Sequence, residues 1–200
     1  MAQAPHFFGY GSLVNRGTHC YGDIQRASLP SWRRVWRHAT GLGYVDLSAE
    51  PAGPGDIIEG VVASVPQADW AALDCREMGY DRHDISRQCR VETPLSKIEI
   101  YQMRPELAAV PGPDHPIPLS YLDIVVEGYL EQFGQDGVAR FFHTTDGWDA
   151  PFLDDRAAPI KARRRQADPS IYPLVDAWLE KVQRHPLHAA APLPTGFATG

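Results

Sequence analysis

The 200-residue chain contains no apolar run approaching the roughly 18–20 residues that a membrane-crossing helix needs. Its start, Met1-Ala2-Gln3-Ala4-Pro5, has neither a basic stretch nor an apolar core, so no secretory leader is expected. Cysteine is scarce. Cys20, Cys75 and Cys89 form no C-x-x-C pair, and an odd count favours reduced thiols in the cytoplasm over a disulfide framework. Excess positive charge is also missing: 19 basic against 25 acidic residues give −6, which argues against nucleic acid as a partner. No G-x-x-x-x-G-K-[ST] segment is present. Gly9-Tyr10-Gly11 fails as a dinucleotide fingerprint because Val14 stands where the third glycine belongs. Ser12 is not in a nucleophile elbow, since Tyr10 rather than glycine precedes it by two positions.

What is present suits a folded domain. A 44% hydrophobic content supports a buried core, and 17 glycines with 18 prolines supply abundant turns. The spacing predicts strands over 6–11, 27–39, 42–47, 80–92 and 97–103. Ile57 to Val65, rich in β-branched residues, gives the clearest strand of all. Helices are expected from Gln67 to Glu77, from Leu119 to Phe133, from Gln135 to Phe142 and from Asp168 to Val182. Five prolines between Arg104 and Pro118 read as a surface loop able to act as a lid. Strands early and helices late indicate an α+β fold in one domain over 1–185, with 186–200 as a flexible tail.

Two segments carry chemistry. Phe8-Gly9-Tyr10-Gly11-Ser12-Leu13 reads as a strand entering a tight loop whose backbone N–H groups can cradle an anion. Leu73-Asp74-Cys75-Arg76-Glu77-Met78-Gly79-Tyr80-Asp81-Arg82 closes a helix with an acid in its last turn, where the helix dipole disfavours a carboxylate. Gly79 is placed to end that helix, and Cys75 reads as a packing residue. Together these segments resemble the gamma-glutamylcyclotransferase-like superfamily, with a spelling that leans toward its bacterial and ChaC-like branches. A later block, Ser120-Tyr121-Leu122-Asp123 through Thr144-Thr145, Trp148 and Asp155-Arg156, resembles bacterial members, so the similarity spans about 6–180. Lys161-Ala162-Arg163-Arg164-Arg165 departs from the simpler segment expected there.

The resemblance implies a small mixed β-barrel with surrounding helices and a pocket at the barrel mouth. It also implies a reaction: the α-amine of a γ-glutamyl compound attacks its own γ-carbonyl, forming 5-oxoproline and expelling an amine or peptide. Nucleophile and electrophile share one molecule, so holding the folded conformer does much of the work. One carboxylate near both nitrogens can accept and return the proton, and a free α-amine with a pKa of about 8 needs only a modestly strengthened base. On this resemblance Glu77 is the acid/base, and Tyr10, Gly11, Ser12 and Leu13 cradle substrate with Tyr80 and Arg82 beside them. The ChaC-like spelling nudges the substrate toward glutathione-like compounds.

No metal or other cofactor is expected. The eight histidines are scattered, and the one close pair, His185 and His188, has no acidic neighbour. The expected partner is a small γ-glutamyl molecule, with no nucleic acid and no membrane. Arg82 also admits a purely structural reading as the partner of Asp81, Asp84 or a neighbouring strand. The run Lys161 to Arg165 reads as a solvated or internally paired face, because it lacks interleaved aromatics. A rival to the enzyme is a binding or regulatory module that reuses the same pocket without catalysis.

Overall fold

The computed structural model describes residues 4–161 and 166–184. Twelve strands and three helices follow in chain order among them. They are β1 (His6–Gly9), β2 (Gln25–Pro30), β3 (Trp32–Ala39), β4 (Val45–Pro51), β5 (Ile57–Ser64), α1 (Ala71–Arg76), β6 (Tyr80–Asp84), β7 (Arg90–Val91) and β8 (Ile98–Met103). Then come β9 (Ala108–Ala109), β10 (Ile117–Pro118), α2 (Leu119–His143), β11 (Thr145–Asp146), β12 (Phe152–Leu153) and α3 (Tyr172–Arg184). The α+β class is as expected.

One six-stranded sheet runs β6-β8-β1-β5-β2-β7, antiparallel except where β1 lies parallel to β8, His6 opposite Ile98. β1 is central, flanked by β5 and β8, and is buried along its whole length, which explains its short unbroken apolar spelling. A second sheet holds β11, β3 and β4, with β9 also paired to β3. The two sheets meet where β8 approaches β4: the Met103 N–H donates to Ser48 Oγ at 3.1 Å, and Tyr80 OH to the Leu47 carbonyl at 3.1 Å. These strand pairs do not by themselves close the sheets into a barrel.

The run 27–39, read from sequence as one strand, is two. Ser31 adopts φ 60° and turns the chain from the first sheet into the second, its N–H donating to the Asp56 carbonyl at 2.7 Å. The boundary is marked in sequence by Pro30, which ends β2 directly before the left-handed serine and which the reading of 27–39 as one strand runs through. Strand 80–92 also shrinks, to β6 and the two-residue β7. The expected start of α1 is a separate 3-10 turn at Pro66–Ala68, and Glu77 sits just past the last helical residue.

Between Leu119 and Val126 every residue of α2 is buried, as a helix enclosed on all sides must be. Gly134, at φ 68° and ψ −170°, interrupts the helix where two separate helices were expected. Gly128 lets α2 approach the loop after β1: a Cβ there would stand 2.6 Å from the Asn15 nitrogen. Asn15 Nδ2 fastens the contact, donating to the Ile124 carbonyl at 2.9 Å and to Glu127 Oε2 at 2.6 Å. Phe142 stacks on Trp178 at 4.9 Å and docks α3.

The proline-rich segment 104–118 is pinned rather than free. β9 pairs with β3, Thr40 N–H donates to the Leu107 carbonyl and Val45 N–H to the Pro116 carbonyl, and His115 stacks on His38 at 3.5 Å. The tail 186–200, the pair His185 and His188, and residues 162–165 of the basic run lie outside the described residues. Among the described residues no helix is long and apolar enough to cross a membrane.

Candidate active site

A cleft of about 290 Å³ opens where the loop after β1 faces the end of α1 and the start of β4. Its wall includes Tyr10, Gly11, Ser12, Leu13, Glu77 and Tyr80, six of the seven residues singled out from sequence. Arg82 is not among the lining residues. Its guanidinium reaches Asp74 at 2.9 Å and Glu99 at 2.8 Å and lies 4.3 Å from the Trp70 ring, so it braces β6 against α1 and β8. That is the structural reading of Arg82, with partners other than the two nearby aspartates.

The loop is a backbone device. After β1 the chain makes a 3-10 turn at Ser12–Val14, whose leading N–H groups have no partner within the turn itself. The Tyr10 carbonyl accepts a hydrogen bond from Tyr129 OH at 2.9 Å. In a trans peptide the next N–H points the opposite way, so Gly11 N–H is aimed away from α2. Gly11 sits in tight space: a Cβ there would stand 3.0 Å from Tyr121 OH, which would have to give way. Tyr10 OH in turn donates to the Tyr101 carbonyl at 2.6 Å, and burial holds that phenol protonated by raising its pKa far above the usual value.

Behind the loop stands a buried cation. Arg34, fully buried on β3, donates to Tyr129 OH at 2.9 Å, to the Glu59 carbonyl at 2.9 Å, to Thr145 Oγ1 at 3.0 Å and to Thr144 Oγ1. Its guanidinium lies 5.1 Å from the Tyr129 ring and 5.0 Å from the Phe141 ring. Burial lowers the pKa of Arg34 and pushes the Tyr129 phenol up to about 12. The cation and its phenol thus form a rigid post beneath Tyr10. Sequence reasoning missed both. The signal available was a charged residue inside the apolar stretch Trp32-Arg33-Arg34-Val35-Trp36.

Glu77 lies opposite, just beyond α1, where Gly79 at φ 101° redirects the chain into β6. Its neighbour Arg76 links the two halves of the site. Arg76 Nε donates to Glu77 Oε1 at 3.1 Å, one terminal nitrogen donates to Ser12 Oγ at 3.1 Å, and the other to the Thr18 carbonyl at 2.9 Å. The carboxylate and the loop are therefore tied through one guanidinium, with side-chain exposures of 16% for Glu77 and 19% for Arg76. Cys75 also lines the cleft and is exposed, not the packing residue expected, because α1 buries Leu73 and a residue two positions on points to another face. Tyr101 OH donates to Asp74 at 2.5 Å and backs the floor.

The far side is less polar. Leu42 (37% exposed), Ile160 (45%) and Met78 (81%) form an open rim, with Tyr44, Asp46, Tyr121 and Lys161 below it. A carboxylate and a loop of backbone donors lining one partly closed cleft can carry protons at one atom while binding negative charge at another.

No family model matches the sequence, and no curated protein matches it. Solved structures do. A gamma-glutamyl cyclotransferase aligns with a TM-score of 0.56 and 15% identity, covering 88% of this chain and 99% of its own. The chain shares its fold. A Homo sapiens protein described as uncharacterized, loc79017, also gives 0.56 at 15% identity, covering 87% of this chain and 99% of its own. YkqA from Bacillus subtilis gives 0.52 at 16% identity, covering 68% of this chain and 52% of its own.

Proposed function

We propose that the chain is a gamma-glutamylcyclotransferase-like enzyme of the bacterial or ChaC-like branch, converting a γ-glutamyl compound to 5-oxoproline and a free amine or peptide. The observation that carries this reading is the Arg76 bridge, which sets the Glu77 carboxylate and the Tyr10–Leu13 loop against the same cleft. The fold shared with a gamma-glutamyl cyclotransferase supports it. The barrel implied by that family would be completed by the side-chain seam between β4 and β8.

In this reading Glu77 takes a proton from the substrate α-amine, which attacks the γ-carbonyl carbon. The C–N bond to the leaving amine breaks as Glu77 delivers the proton to that nitrogen. Loop N–H groups hold the α-carboxylate and the oxyanion, and Tyr80 and Tyr101 shape the floor. The chemistry moves protons between groups already present and asks for no metal or organic cofactor. Reduced cysteines fit a cytoplasmic setting.

The test is 5-oxoproline release from a panel of γ-glutamyl peptides, amino acids and amines, wild type beside Glu77→Gln. The expected result is release by wild type and a loss of about 100-fold or more in the variant, with its melting temperature unchanged. Near-normal turnover in Glu77→Gln would overturn the acid/base role. No release from any compound would leave the cleft as the site of a binding module.

A further inference from the structure

Helix α1 is six residues long and buries one side chain, Leu73. A helix that short is marginal by itself, and one apolar contact fixes a point rather than a direction. Glu77 follows α1 directly, so whatever sets the tilt and rotation of the helix also places the carboxylate. Arg76 attaches the end of α1 to the loop, at Ser12 and Thr18. Its attachment to the sheet is made elsewhere, one turn earlier.

Asp74 makes that attachment. Its Oδ1 accepts a hydrogen bond from Tyr101 OH at 2.5 Å and lies 2.9 Å from Arg82 Nε. Tyr101 stands on β8 in the wall of the cleft, only 4% exposed, and its carbonyl accepts Tyr10 OH at 2.6 Å. Arg82 faces Tyr101 across the β6–β8 pair, donates to Glu99 Oε2 at 2.8 Å and covers the Trp70 ring at 4.3 Å. Glu99 in turn lies 3.3 Å from Lys97 Nζ. A chain of groups, Lys97, Glu99, Arg82, Asp74 and Tyr101, thus runs from the protein surface to the cleft. Asp74 is its one member on α1, and Asp74 is not among the residues lining the cleft.

The Asp74 side chain is 45% exposed, and ion pairs so open to water contribute little to stability. Geometry is the better account of it. A phenol on a carboxylate is a short, charge-assisted bond with a strict direction. Burial and the Asp74 bond raise the Tyr101 pKa, so the donor keeps its proton. We infer that Asp74 is a positioning residue for Glu77: it registers α1 against β8 as Arg76 registers it against the loop. The acid/base is thereby referenced to both walls of the cleft, and a misplacement of about 1 Å at the reacting atoms can cost about 100-fold in rate.

This inference rests on the proposed cyclotransferase reading, and the experiment tells the two apart. Steady-state 5-oxoproline release is measured for wild type, Asp74→Ala, Asp74→Asn, Tyr101→Phe and the double variant Asp74→Ala, Tyr101→Phe. Asp74→Ala is expected to lower kcat by about tenfold or more, with KM within about twofold. Its melting temperature should fall by no more than about 3 °C, the scale of one exposed pair. Asp74→Asn keeps an acceptor for Tyr101 OH and should recover kcat to within about threefold of wild type. The double variant should be no slower than the slower single one, because both cut the same link. An unchanged kcat in Asp74→Ala, a loss carried by KM or by unfolding, additive losses in the double variant, or no recovery in Asp74→Asn would overturn the role. If wild type releases no 5-oxoproline the enzyme reading fails instead, and amide hydrogen exchange then decides the positioning. Glu77 N–H, which donates to the Leu73 carbonyl at 2.9 Å, should exchange about tenfold faster in Asp74→Ala while the amides of β1 keep their rates. Unchanged exchange at Glu77, or the same acceleration in β1, overturns it.

Discussion

The two sides of the cleft are built by opposite rules. The Tyr10–Leu13 side is backbone held from behind: Asn15 clamps α2, Tyr129 holds the Tyr10 carbonyl, and fully buried Arg34 holds Tyr129. The opposite rim is side chains held from below, with Met78, Leu42 and Ile160 open to solvent. The lesson is a division of labour. The backbone of the loop is fixed by a low-dielectric network in which the Tyr10 carbonyl, the Tyr129 phenol and the Arg34 guanidinium find partners in one another. The rim can vary in side chain without disturbing that network.

This contrast can be broken most severely at Gly128. Gly128→Ala places a methyl 2.6 Å from the Asn15 backbone nitrogen, and backbone cannot swing aside as a flexible side chain would. A stability loss of about 3 kcal/mol by denaturant titration is expected, with turnover falling as the loop is displaced. Tyr129→Phe is a gentler cut. It leaves the Tyr10 carbonyl and one Arg34 donor short of a partner, at about 1–3 kcal/mol, while the Glu59 carbonyl keeps Arg34. Turnover should fall by about tenfold or more through the misaimed Gly11 N–H, while a rim variant of equal stability loss should not show that fall.

A smaller effect comes from His6, buried in β1 with its Nδ1 unpartnered. Burial holds its pKa below 6.5, so the unfolded chain takes up a proton at a higher pH than the folded one. Stability is then full above pH 6.5 and declines as pH falls below it. Melting temperatures measured from pH 7.5 down to 5.5 should drop, and the His6→Phe variant should show a shallower slope. Smallest of all, Met78→Ser on the rim should shift stability by no more than about 0.5 kcal/mol, since its side chain is 81% exposed.

Legibility from sequence followed the same division. Strand β5 announced itself through Ile57 to Val65 because β-branched runs have few alternatives. The break in α2 was marked by Gly134, and the loop and Glu77 by local spelling. Arg34 and Tyr129 were not legible in those roles. Each acts through a partner far along the chain, and a lone residue does not state what it will meet: an arginine on a strand reads as solvent-facing. The run from Lys161, read as a solvated or internally paired face, begins with a lysine paired to Asp46. Cys75 misled because α1 buries Leu73 on one face and turns Cys75 to another. Arg82 followed the motif in sequence, yet its charge is absorbed by Asp74 and Glu99.

The parallel pairing of β1 with β8 sets an order of events during synthesis. β1 lies between two partners, and one of them, β8, emerges only with residues 98–103. Tyr10 then waits for Tyr129, 119 residues downstream, before its carbonyl is fixed. Contacts this distant close large loops and form late. A nascent chain stalled before α2 would therefore expose the apolar β1 without its cradle. The loop after β1 is thus translated long before the contacts that fix it.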